Sequence, residues 1–245
     1  MSVIHIMLKR LLHILLICSV SLNLAGQAVD TGSRENVLNA IDIYYRSLGE
    51  GSPLYNGSEY IEYAYTLQDG HPFFKSSAWS NGSIVLEGMN FHEVPMLYDL
   101  VKDQVIIENF QRVYKINLPA DKIQQFTLSG HHFVRIVRNS SGQIQTGFYD
   151  QLYNGKIAVY AKREKKIIEE HINLQINNLV VEHNAYYIKK DSNYYIIKNK
   201  RALIDALKDK RKAIQQYLKK IRLKFRDDPE TVVELVAEYY DKSTN

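Results

Sequence analysis

From Glu59 to about Asn199, apolar and polar positions alternate with a period near two, the pattern of half-buried strands. Ile61, Tyr63, Tyr65 and Leu67 alternate with Tyr60, Glu62, Ala64 and Thr66, predicting a strand that ends at an Asp69-Gly70 turn. "FFKSSAW" and "SIVLEGM" are expected to pair across Asn81-Gly82, a two-residue hairpin signal. "VPMLYDL" and "QVIIENF" flank Val101-Lys102-Asp103, and "HFVRIVR" runs into a turn at 139–142. "TGFYDQLY" meets "KIAVYAK" across Asn154-Gly155, and "AYYIKK" meets "NYYIIK" across Asp191-Ser192. Pro95 and Pro119 cannot donate to a ladder, so each should mark a bulge, edge or turn. Roughly eleven short strands follow one another with no helical pattern between them. The expected fold is mainly β (α+β): a curved antiparallel meander sheet, a sandwich or an open half-barrel. No repeat of fixed period is visible, which argues against a propeller.

Helical spacing appears only at the two ends. Val37, Ile41, Tyr44 and Leu48 recur as one stripe, with Ser33 as cap and Gly49 as stop. Asn199 is placed to cap a long helix striped by Leu203, Leu207, Ile214, Leu218, Ile221 and Phe225. Asp228-Pro229-Glu230 starts a second helix, with Val232, Val233, Val236 and Tyr240 on its apolar side. Such stripes are stable only when covered, so the helical pair should dock on the sheet. The expected layout is a leader over 1–28, a helix over 29–49, a β domain over 50–198 and a basic helical segment over 199–245.

The start of the chain sets the expected compartment. Lys9 and Arg10 precede a mostly apolar run from Leu11 to Leu24, and Gly26 and Ala28 suit a cleavage site. At 14 residues this run is shorter than the roughly 20 that a spanning helix needs. A cleavable export signal is expected. The only cysteine, Cys18, lies inside it after Ile17, which is too large for a lipoprotein signal. The mature chain would then hold no disulfide and no thiolate nucleophile. The address expected is the periplasm or the outer-membrane periphery of a bacterial envelope.

Composition narrows the chemistry. The chain is 45% hydrophobic and 24% charged over 245 residues, ordinary for a globular protein. It has no nucleophile elbow, zinc-protease helix, phosphate loop or dinucleotide fingerprint, so no cofactor is expected. His131 and His132 are adjacent in a strand and point to opposite faces, a poor start for one metal site. Glu87, Glu93, Asp99 and Asp103 cluster in sequence; converged, two of them would make the acid–base pair of a glycosidase. Dispersed, they are ordinary strand and turn residues. The chain also holds 18 Tyr. Those on adjacent hairpins (Tyr149, Tyr153, Tyr160, Tyr186, Tyr187, Tyr194, Tyr195) either pack the sheet or line a sugar or acyl site.

The charge distribution is the least ordinary feature. Residues 198–226 hold twelve Lys/Arg against Asp205 and Asp209, a net +10 in a chain whose total is +4. An exposed face formed by Lys210, Arg211, Lys212, Lys219, Lys220 and Arg222 would suit an anionic partner. Lipid, glycan or an outer-membrane protein fits the expected compartment, and nucleic acid does not. A solvated helix face, partly neutralised by an acidic sheet, is the plain alternative.

The stretches "GSIVLEGMNFHEVPMLYDLVKDQVII", "KIQQFTLSGHHFVRI" and "GFYDQLYNGKIAVYAKREK" resemble exported β-rich proteins of Bacteroidota. The likeness rests on the strand–"LYD"–strand pattern, on Phe126, Leu128, Gly130 and Phe133, and on the basic C-terminal helix. It implies an envelope address and brings no catalytic residues. A fold-level analogy to periplasmic lipoprotein carriers implies a half-barrel covered by helices. The expected function is a non-enzymatic envelope protein binding a hydrophobic or anionic ligand or partner. A hydrolase of envelope glycan or lipid and an accessory subunit of an outer-membrane complex stand as alternatives.

Overall fold

The computed structural model describes residues 36–37, 40–41, 43–45, 47–138, 142–172 and 175–243. The expected leader and its cleavage site lie outside these residues, as does the Ser33 cap. The described positions from 36 to 47 are helical, and Gly49 then takes φ +56, the stop expected of it.

Residues 48–243 form one unit built on a single open antiparallel sheet of eleven strands. These are β1 (Ser58–Glu59), β2 (Ser80–Leu86), β3 (Met89–Asp99), β4 (Gln104–Glu108), β5 (Lys115–Asn117), β6 (Ile123–Leu128), β7 (His131–Ile136), β8 (Gly147–Asn154), β9 (Ile157–Ile172), β10 (Gln175–Lys190) and β11 (Asn193–Ile196). Their spatial order is β1-β5-β4-β3-β2-β6-β7-β8-β9-β10-β11, so two meanders run outward from the β2–β6 pair. Mainly β, curved and open is the predicted fold.

Two connections show how strongly the sheet curls. β5 and β6 lie four positions apart in it, roughly 19 Å in a flat sheet. Only residues 118–122 join them, and these already hold a turn from Lys122 N to the Pro119 carbonyl. β3 and β9 are five positions apart, yet Lys165 N donates to the carbonyl of Leu100 just past β3, at 3.2 Å. The curl encloses a buried aromatic cluster on its concave side. Phe126 stacks on its cross-strand partner Phe133 at 4.8 Å, and Tyr98 meets Phe126, Phe133 and Phe148 edge-on at 5.0–6.0 Å. Each such pair adds about 0.5–1.5 kcal/mol beyond its area.

The rest of the concave side is filled by helices α1 (Lys200–Ala206), α2 (Arg211–Lys220) and α3 (Pro229–Lys242). Leu203, Leu207, Ile214, Leu218, Val233, Val236 and Ala237 pack on Ile157, Val159, Ala161 and Ile188 of the sheet. Asn199 caps α1 and Asp228 caps α3, as predicted. The long helix predicted from Asn199 is instead broken at Leu207 into α1, a 3-10 turn at Lys208–Lys210, and α2. Tertiary bonds explain the break: Asp209 is taken by Lys190 at 2.6 Å and the Tyr240 hydroxyl at 2.7 Å.

Two strand expectations are corrected. Of the predicted 59–67 strand only Glu59 falls in a strand, the two-residue β1, because the Tyr60 and Tyr63 hydroxyls turn to Asp99 and drape the segment over the end of the sheet. "FFKSSAW" joins the sheet through a single Phe73–Asp99 bridge, and Asn81-Gly82 lies inside β2. Gly82 is there for close approach: a Cβ would stand 2.0 Å from the Thr127 carbonyl oxygen. The real β2–β3 turn is Glu87-Gly88, with φ of +51 and +79. Pro95 follows a bulge at Glu93 (φ +52) just outside the β3–β4 ladder, as its missing N–H requires.

Candidate functional site

The sheet's two faces receive the tyrosines alternately. Tyr149, Tyr160, Tyr187 and Tyr194 pack together on the convex face, while Tyr153, Tyr186 and Tyr195 join the helix-covered core. Burial pushes the Tyr149, Tyr160, Tyr187 and Tyr194 hydroxyls above their ordinary pKa. Most of this aromatic set is therefore packing.

A cleft of about 610 Å³ opens between the β3–β4 turn, the start of the β9–β10 hairpin and the 145–146 loop. Its charged groups are Asp103, Lys162, Glu164, Lys165 and Lys166. Lys162, only 9% exposed, binds Asp103 at 2.7 Å and the Phe148 carbonyl at 3.1 Å. Asp103 also accepts from the Tyr98 hydroxyl at 2.5 Å, and burial raises that hydroxyl's pKa well above normal. Asp103 is thus committed to closing one end of the curl, and Gly147 leaves the room for it. Glu164 has no hydrogen-bond partner among the described residues.

The four carboxylates grouped by sequence do not converge. Glu87 pairs with Lys122 at the β2–β3 turn, and Glu93 accepts from Asn81. Asp99 ends β3 and Asp103 follows it, roughly 20 Å from Glu93 in mid-strand and farther from Glu87 before the strand. Asp99 is fully buried and accepts from Tyr60 and Tyr63 and from the Val101 and Lys102 amides.

A second polar network, not anticipated from sequence, lies where sheet meets α3. Arg163 forks between Asp150 (2.7 and 3.0 Å) and Glu230 (2.5 and 2.8 Å). His131 Nδ1 stands 2.7 Å from Asp150, and the Tyr186 hydroxyl donates to Glu230 at 3.1 Å. Burial opposes the charge of Arg163, but Glu230 and Asp150 overcome it and hold the pKa above normal. Glu230 is likewise opposed by burial and held low by Arg163, whereas burial beside Glu230 and Asp150 raises Glu234. The network's charges are mutually satisfied, and its position makes it a clamp.

The basic segment divides. Lys210 turns inward, donating to the Tyr240 carbonyl at 3.2 Å with its ammonium over the Tyr240 ring, and Arg211 pairs with Asp205 at 2.5 Å. Lys210 leaves the expected exposed face, while Arg211 stays exposed with its charge paired. Lys212, Lys219 and Lys220 of α2 and Arg222 beyond it are exposed and have no partner among the described residues. Ile214 and Leu218 anchor the buried side of α2, so Lys212, Lys219 and Lys220 project from its open side. After Lys220 the backbone turns extended at Ile221, and the 221–225 loop folds over a groove of about 250 Å³. Three cations without a partner among the described residues line it: Lys200, Arg222 and Lys224. Its other walls are Leu218, Ile221, Leu223 and Phe225, and no acid is among them. Basic residues were legible in the sequence; the apolar groove beside them was not, since Leu223 and Phe225 read there as helix.

Among the described residues, no helix is long and apolar enough to cross a membrane. No known family model, curated protein or solved structure matches the chain.

Proposed function

We propose that this is a non-enzymatic protein of the bacterial envelope that binds an anionic amphiphile, a lipid with a phosphate-bearing headgroup, through the α2 face and the groove after it. One observation carries the reading: Lys200, Arg222 and Lys224 line the same groove as Leu218, Ile221, Leu223 and Phe225, without a carboxylate. Cations alone would suit any polyanion; cations beside an apolar slot suit a charged head on an acyl chain. Lys212, Lys219 and Lys220 extend the positive surface toward a membrane plane, each worth about 1 kcal/mol near an anionic leaflet. The leader-like N-terminus and the Bacteroidota resemblance support the compartment. A ligand held between sheet and helices, as the carrier analogy implied, has little support, because side chains of the chain itself fill that space.

Flotation with vesicles tests the reading. Phosphatidylglycerol vesicles should carry the protein at low salt and phosphatidylcholine vesicles should not, and the Arg222→Glu/Lys224→Glu variant should lose about tenfold or more in partitioning. Equal binding to both vesicle types, or an unaffected variant, would overturn it.

The hydrolase alternative has one observation in its favour, the cleft where Glu164 and Asp103 share a wall with Lys162. Asp103 is consumed by three donors there, which leaves Glu164 without an unengaged carboxylate opposite.

A further inference from the structure

β9 and β10 pair along all sixteen positions, from Ile157–Lys190 out to Ile172–Gln175, but the sheet supports only the inner part. β8 pairs with β9 only at Ala158–Ala161, and β11 with β10 only at Tyr187–Lys190. Beyond these the hairpin is an arm, and its two edges are treated differently. The β10 edge is covered by residues 68–69, through Gln68 N to the Asn178 carbonyl and Val180 N to the Asp69 carbonyl. The β9 edge is met once, where Lys165 N donates to the Leu100 carbonyl; from Lys166 outward it has no backbone partner among the described residues. A naked edge strand is a template for another strand.

The residues on that edge specify which strand. Lys166, Ile168 and Glu170 share one face, since side chains alternate along a strand. Across the hairpin they meet Val181, Leu179 and Asn177, so neither charge faces a counter-charge on β10. Lys166 and Glu170 are exposed and have no partner among the described residues, and Ile168 is 40% exposed. Lys-x-Ile-x-Glu is its own complement when a copy runs antiparallel. Lys166 then faces Glu170 of the copy, Ile168 faces Ile168, and Glu170 faces Lys166. Hydrogen bonding selects this register: the bond at Lys165 shows that odd-numbered residues turn their amides to the open edge, so opposed residues must sum to an even number. Pairing 168 with 168 meets that condition, places Ile167 opposite Glu169 in a hydrogen-bonded pair, and stops where Leu100 blocks the edge.

We infer that the protein forms a two-fold dimer by antiparallel pairing of β9 edges over Lys166–Glu170, giving a continuous four-stranded β10-β9-β9-β10 ribbon from two arms. The interface is isologous, as a two-fold axis through Ile168 requires, and each Lys–Glu pair occurs twice.

Sedimentation of the protein between about 1 and 100 µM tests this, with circular dichroism to confirm folding. The wild type should be dimeric at the upper end. Lys166→Glu and Glu170→Lys should each weaken the dimer about tenfold or more, because each opposes like charges twice. The double variant Lys166→Glu/Glu170→Lys restores complementarity and should restore the dimer. An Ile168→Cys variant, in a chain whose only other cysteine is Cys18, should oxidise to a linked dimer, as facing Cα atoms about 4.5 Å apart in a non-hydrogen-bonded pair allow. Val181→Cys, on the other strand, should not. A monomer at every concentration, indifference to the single charge reversals, failure of the double variant to recover, or equal linking at both cysteine positions would overturn the proposal.

Discussion

Replacing Arg163 by Met would leave Asp150, 1% exposed, and Glu230 facing each other with no cation between them. Removing one partner of a buried ionic network costs about 3–5 kcal/mol, and urea unfolding of Arg163→Met should show a loss of that size. The same clamp sets a pH dependence. Glu230 titrates below its ordinary 4.5 in the folded chain, so its stabilisation is complete above 4.5 and is lost as pH falls through the lower folded value. Glu234 has the opposite sign: its raised pKa means that its charge costs stability at neutral pH. Glu234→Gln should therefore stabilise the protein at pH 7, by less than about 0.5 kcal/mol because solvent screens the partly exposed carboxyl. That gain should shrink as acid protonates the wild-type carboxyl, which paired thermal melts at pH 7 and pH 4 would read. Gly82→Ala should cost about 2 kcal/mol, since the new Cβ collides with a backbone carbonyl and no side chain can yield. Caps such as Asn199 and Asp228 were legible because their partners lie three residues on, at Ala202 and Thr231. The roles of Gly82 and Arg163 were not, because their partners are 45 and up to 67 residues away in the chain.

At the scale of elements, the hairpins turning near Asn154-Gly155, at Asp191-Ser192 and at Val101–Asp103 were readable, whereas Asn81-Gly82 proved to lie inside β2 and the real turn at Glu87-Gly88 was missed. The long arm is the clearest case. The two residues between Ile172 and Gln175 are neither Gly nor Pro, and the arm's strand pairs mix Lys, Glu, Ile and Asn without clean alternation. The arm exists because sixteen consecutive backbone pairs support one another, a cooperative gain that no local window shows. Its outermost part contributes little to the rest of the fold. Replacing residues 170–177 by Asn-Gly keeps the Glu169–Asn178 pair and the Gln68 bond to Asn178. Thermal unfolding of that shortened chain, compared with the wild type at a concentration where both are monomeric, should move by less than about 1 kcal/mol. The broken C-terminal helix teaches a related point. Its apolar stripe runs on through Leu207, but Lys190 and Tyr240 capture Asp209 and set where α1 ends.

For the whole molecule, the charge asymmetry read from sequence survives as geometry only in part. Lys210 is turned inward and Arg211 is paired with Asp205 at the surface, while the cations from Lys212 to Lys224 remain open to solvent beside an apolar groove. The concave side of the sheet is filled by described side chains, so the lipid proposed above would be met on the molecule's surface. The most direct measurement is native mass spectrometry of the protein recovered from its own envelope without detergent. The account predicts a bound mass matching a phosphate-bearing lipid, absent from the Arg222→Glu/Lys224→Glu variant recovered in the same way. A protein free of any lipid, or a lipid retained equally by that variant, would contradict it.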